Sequence, residues 1–87
     1  SKKYEEAISI LSEGIIFNPN ASDLYYNRAC CYAILGKYEK AISDLYIAID
    51  IDKGLYYWII ADSDFELMRN TDIYKKFINE IINVKKG

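Results

Sequence analysis

The 87-residue chain contains no histidine, one proline and one methionine, and its two cysteines are sequence neighbours, Cys30 and Cys31. Without imidazole there is no Ser-His or Cys-His nucleophile pair, no histidine metal ligand and no side chain that ordinarily titrates near neutral pH. Adjacent cysteines are poorly placed to staple distant segments, so no disulfide scaffold is expected, and unpaired thiols fit a reducing, cytoplasmic setting. A single proline argues against a polyproline linker. No apolar run approaches the ~18 residues of a membrane span, and the opening residues Ser1 to Glu6 lack the apolar stretch of a signal peptide. Charge of one sign is also missing. Thirteen acidic against eleven basic side chains leave −2, which offers a polyphosphate no general attraction, so neither nucleic acid nor membrane is expected as a partner. What remains is 52% apolar residues, with nine tyrosines among them, enough for one compact, single-domain core. A chain this short buries only roughly 60 to 70% of its unfolded surface, so a longer parent or self-association is consistent with it.

Self-similarity organises the sequence. At an offset of 34, Lys3, Tyr4, Glu5, Ala7, Ile8, Ser9, Leu11 and Ile15 recur as Lys37, Tyr38, Glu39, Ala41, Ile42, Ser43, Leu45 and Ile49, eight matches in thirteen positions. A weaker third copy begins at Tyr74, where Phe77 answers Ala41 and Val84 answers Ala48. Enlarging two small residues removes the close approach of a further helix, as expected of a unit that ends a stack.

Within each copy the apolar spacing is helical: Tyr4, Ala7, Ile8, Leu11 and Ile15 share one face. The first helix is predicted over about Lys2 to Phe17, broken by Asn18-Pro19-Asn20. A second follows with Ser22 as N-cap, a packing stripe through Leu24, Tyr25, Arg28, Ala29, Tyr32 and Leu35, and a stop at Gly36. A third runs from Lys37 to about Ile51, and Gly54 precedes a short one from Leu55 to Ile60. Asp62 or Ser63 caps a brief turn through Met68, and Asn70-Thr71 opens the last helix, Tyr74 to Val84. Six helical pieces result, with no alternation that supports a sheet.

These residues resemble a known family. Leu24-Tyr25-Tyr26-Asn27-Arg28-Ala29, then Tyr32, Leu35-Gly36, Tyr38, Ala41-Ile42, Leu45, Ala48-Ile49 and Ile51-Asp52 look like a tetratricopeptide repeat. The resemblance implies an all-α fold, antiparallel helix pairs stacked as a short right-handed α-solenoid with a C-terminal capping helix. Residues 1–21 correspond to the second helix of a partial repeat, with Pro19 at the family's terminal proline; 22–54 to a complete repeat, where Lys53 stands instead; and 55–87 to a degenerate capping repeat like those that close bacterial arrays. Ala29 and Ala41 are small where the paired helices cross, and an enlarged Ala41 is expected to overpack, whereas a change at Asp44 is expected to be nearly silent.

A solenoid of this kind lines its inner wall with the first helix of each pair. That wall would hold Asp23, Tyr26, Asn27, Cys30, Ala33, Ile34 and Lys37. Tyr26 offers apolar area and Asn27 both a donor and an acceptor for an extended peptide; the plainer reading is that both are solvated or packed on a neighbour. Asn27 also matches the asparagine with which co-chaperone members grip a C-terminal carboxylate, yet the short helix after Gly54 offers Tyr57, Trp58 and Ala61 where that grip needs lysine or arginine. Cys30 and Cys31 have no further cysteine or histidine to complete a tetrahedral metal site and are read as packing residues. Asp62, Asp64 and Glu66 lack the glycine turn and distal glutamate of a calcium loop and are read as capping and solvated groups. Lys75, Lys76, Lys85 and Lys86 form a small basic tail of the kind that usually solubilises. Tyr56, Tyr57 and Trp58 cannot all point inward; Trp58 is expected against Phe65 and Phe77, which leaves Tyr57 as a secondary partner surface.

The expected function is a protein-protein interaction module that takes a peptide or helix of a partner protein on its concave face. No catalytic residue, cofactor or metal ligand is expected. Two alternatives stand beside it: self-association through the edge of the first helix, where Ile10, Ile16 and Phe17 lie off the stripe, and a regulatory or docking appendage of a longer enzyme.

Overall fold

A computed structural model describes residues 1–86, with side chains through Asn83. Val84, Lys85 and Lys86, to which an enlarged packing position and half of a basic tail were assigned above, lie outside the described side chains. Helix α1 spans Lys2–Phe17 and stops at Asn18, whose N–H still reaches the Gly14 carbonyl before Pro19 ends the ladder. Helix α2 spans Ser22–Ile34; Ser22 is its first residue rather than its cap, and Ala21 at the cap position offers no side-chain acceptor. At its other end Gly36 adopts φ +77°, with its N–H on Ala33 O and the N–H of Lys37 on Tyr32 O at 2.8 Å, the paired bonds of a Schellman turn.

Helix α3 spans Tyr38–Ile51. Where Lys53 replaces a proline, Asp52 makes the turn by accepting the Gly54 N–H at 3.0 Å, and α4, Leu55–Ala61, follows. Asp62 repeats the device by accepting the Asp64 N–H at 2.9 Å. The brief helix expected through Met68 is instead two 3₁₀ turns, Ser63–Phe65 and Met68–Asn70. Thr71 then accepts the Tyr74 N–H and caps α5, Asp72–Lys86. Among the described residues there is no strand, and no helix is long and apolar enough to cross a membrane.

Helices α1, α2 and α3 pack consecutively, and α5 with the 3₁₀ turns closes the far end. The molecule measures 37 × 27 × 18 Å, and the thinnest dimension is that of two helix layers at about 10 Å each. Small residues set the spacing: Ala29, Ala41 and Ala48 are fully buried, and a Cβ on Gly14 would come within 3.2 Å of Leu24 Cδ1. Leu45, Ile59, Phe65, Met68 and Phe77 fill the core between them.

Two expectations about the core fail. Asp44 is no idle position: it is 3% exposed and accepts from Arg28 Nε and Nη2, each at 2.8 Å, while Arg28 Nη1 reaches Ser12 Oγ at 3.0 Å. One guanidinium thus joins α1, α2 and α3, and the carboxylate tolerates burial because both its oxygens are used. Trp58 does not pack on Phe65 and Phe77; it is 70% exposed. A seven-residue helix has little room for inward positions, and Ile59, fully buried, holds the central one, which turns Trp58 about 100° away.

Candidate functional site

Helix α2 turns Tyr25, Ala29 and Ala33 inward, so residues roughly half a turn away face outward. Of the seven residues expected on the inner wall, Asp23, Asn27, Ile34 and Lys37 are exposed, Ile34 at 41%. Cys30 and Ala33 are corrected to core positions: both are buried and belong to the main apolar cluster. Tyr26 is half-buried rather than free. Its ring meets the edge of Phe65 at 5.7 Å between centroids, and its hydroxyl donates to Asp62 Oδ2 at 2.5 Å.

That hydrogen bond carries α2 across to the turn after α4 and brings in residues that the wall reading missed. The Cys30 thiol approaches the same Asp62 oxygen at 4.0 Å, and ligand atoms of Cys30, Asp62 and Asp64 lie within 4.8 Å of one another. Both Asp62 oxygens have partners of their own, the Tyr26 hydroxyl and the Asp64 N–H. Burial, then the charge of Asp62 and Asp64, pushes the Cys30 thiol up from its ordinary range; burial and Asp64 do the same to Cys31. The Tyr26 phenol is likewise raised, first by burial and then by its bond to Asp62. The α4 end of this face therefore carries two carboxylates beside thiols whose burial disfavours the thiolate form. Arg69 supports this end from behind by donating to the carbonyls of Ile59 (2.9 Å) and Asp62 (2.6 Å), which fixes the close of α4. Tyr57, the secondary surface, is exposed at 60% beside Tyr56.

The position of Asp62 had one sequence signal, an acidic residue directly after a helix, but its link to Tyr26 spans 36 residues and needs the fold.

With α2 and α3 paired through Ala29, Ala41 and Ala48, closed by the turn at Gly36 and followed by Asp52-Lys53-Gly54, the pair can be compared with known proteins. The sequence profile of the tetratricopeptide repeat matches residues 22–55. Residues 22–55 are a tetratricopeptide repeat. The chain is similar to sperm-associated antigen 1 of Mus musculus, 43% identical over 51 residues that are 59% of this chain and 6% of the relative. Hsp70-Hsp90 organizing protein 3 of Arabidopsis thaliana is 41% identical over 51 residues, 59% of this chain and 9% of the relative. The protein of that kind from Triticum aestivum is 39% identical over the same shares. The chain thus spans less than a tenth of the curated relatives it matches. No solved structure matches it.

Proposed function

We propose that the open face of α2 receives a peptide or a helix of a partner protein, with Asn27 and Ile34 as the exposed contacts, Asp23 and Lys37 at the two ends, and Tyr26, Cys30 and Ala33 as the floor that holds the wall in shape. The observation that carries this reading is the exposure of Asn27 and of apolar Ile34 on one side of a helix whose other side is fully packed. Residues 1–21 then complete a preceding pair and 55–87 close the stack, with no chemistry performed by the chain itself. The names of the plant relatives put chaperone assemblies in view, but the electronegative end formed by Asp62 and Asp64 disfavours a carboxylate-ended tail and favours a neutral or basic segment.

The test is a crosslinking pull-down from the source cell with the parent protein, run beside an Asn27→Ala, Ile34→Ser variant. Both positions are exposed, so the variant should keep its helical circular dichroism. Loss of a captured partner from the folded variant supports the wall; the same partner in both lanes sinks it. A second reading has its own observation: Ile10, Ile16 and Phe17 are at least 70% exposed along α1, a surface suited to a second copy. A molar mass in light scattering that stays monomeric at all concentrations would exclude it.

A further inference from the structure

On the side of α3 that faces α5, and with no α2 residue in its lining, lies a cavity of about 190 Å³. Among the described residues it is lined by Ile49, Ile81, Tyr46 and Tyr56 and by the exposed Asp50, Lys53 and Glu80. Size narrows the occupant. Drug-sized ligands take roughly 300 to 1,000 Å³, whereas a cavity of about 150 Å³ suffices for benzene, so this one accepts a single ring. The walls narrow it again, since two tyrosine rings offer edges and faces to an aromatic guest that aliphatic walls cannot. The mouth supplies the third restriction. Among the described residues, two carboxylates against one ammonium leave a net negative rim, and Glu80 accepts the hydroxyl of Tyr46, whose phenol is pushed up to about 12 by burial and by that carboxylate.

We infer that this cavity is a second docking site, on a face separate from α2, for a segment of a partner protein that presents one aromatic side chain with a lysine or arginine beside it. An uncharged aromatic molecule leaves the acidic rim unused, whereas a lysine or arginine beside the ring in a peptide offers Asp50 a cation. Because the site shares no residue with the α2 wall, it stands or falls separately from that reading.

The probes are the capped dipeptides Ac-Phe-Lys-NH₂ and Ac-Phe-Glu-NH₂, with benzyl alcohol as a ring without charge, titrated into the protein while isoleucine methyl resonances are followed by NMR. The lysine dipeptide should move Ile49 and Ile81 but not Ile34, and should bind about fivefold more tightly than the glutamate dipeptide at low salt. The exposed substitution Asp50→Lys should remove or invert that preference, and Ile49→Phe, which fills the cavity, should abolish both shifts. Unmoved Ile49 and Ile81, equal affinity for the two dipeptides in wild type, or benzyl alcohol binding as well as the lysine dipeptide would each overturn the inference. If Ile49→Phe fails to fold, the charge comparison and Asp50→Lys still decide.

Discussion

Deleting the Asp44 carboxylate leaves the Arg28 guanidinium held among three helices with nothing to neutralise it. Asp44→Ala is therefore expected to cost about 2 to 3 kcal/mol in urea denaturation, while Asp50→Ala, six residues along the same helix but exposed, should stay within about 0.5 kcal/mol. Nothing about Asp44 itself betrays this role, because a lone acid in a helix is usually solvated. The readable signal was Arg28: an arginine inside a packing stripe requires an acceptor across the helix pair, and the carboxylate sixteen residues on is that acceptor. A second expectation at this scale concerns pH. The Cys30 thiol is raised in the folded chain, so above about pH 9 the unfolded chain loses a proton that the folded one keeps. The unfolded state then binds fewer protons, and the stability that Cys30 contributes is complete below that pH and declines as pH rises, by no more than about tenfold in the folding constant per unit from this one group. Urea midpoints measured from pH 7 to 10 should show the decline in wild type and a shallower one in Cys30→Ala; parallel curves would contradict it.

Turns, at the scale of elements, divide into those read from single residues and those that needed contacts. The break at Pro19 and the stop at Gly36 were legible because proline and left-handed glycine act locally. A Cβ at Gly36 would meet no atom within 4 Å, so Gly36→Ala tests backbone conformation alone, and a loss of about 1 to 2 kcal/mol in thermal or urea unfolding is expected from φ +77°. A neutral result would mean that the turn relaxes to another geometry. Between Ala61 and Asp72 the sequence was less informative. Four consecutive apolar residues, Tyr57 to Ile60, compete to face inward on α4, and only the assembled core, which takes Ile59 into one cluster with Phe65 and Phe77, selects it over the larger Trp58. Likewise the wall of α2 was legible in its helical face but not in its depth: spacing puts Cys30 and Ala33 near Tyr26 and Asn27, and it takes the packed core to bury the first two.

For the whole molecule, a stack of helices in which each touches its neighbours should open from the end that is least covered. Helix α1 has no buried residue, whereas α3 buries Ala41, Ile42, Asp44, Leu45, Ala48 and Ile49. Backbone amides of α1 should exchange with deuterium faster than those of α3, and equal protection would mean that the molecule opens only as one unit. The offset of 34 made this linear order readable before any contact was known, since each copy repeats the stripe that meets the next. Trp58 adds a practical consequence. It is the chain's single tryptophan and it already sits largely in water, so its fluorescence colour should change little when the protein unfolds. The same emission will respond when something covers α4. An optical signal that in most proteins follows folding here reports occupancy of the surface instead.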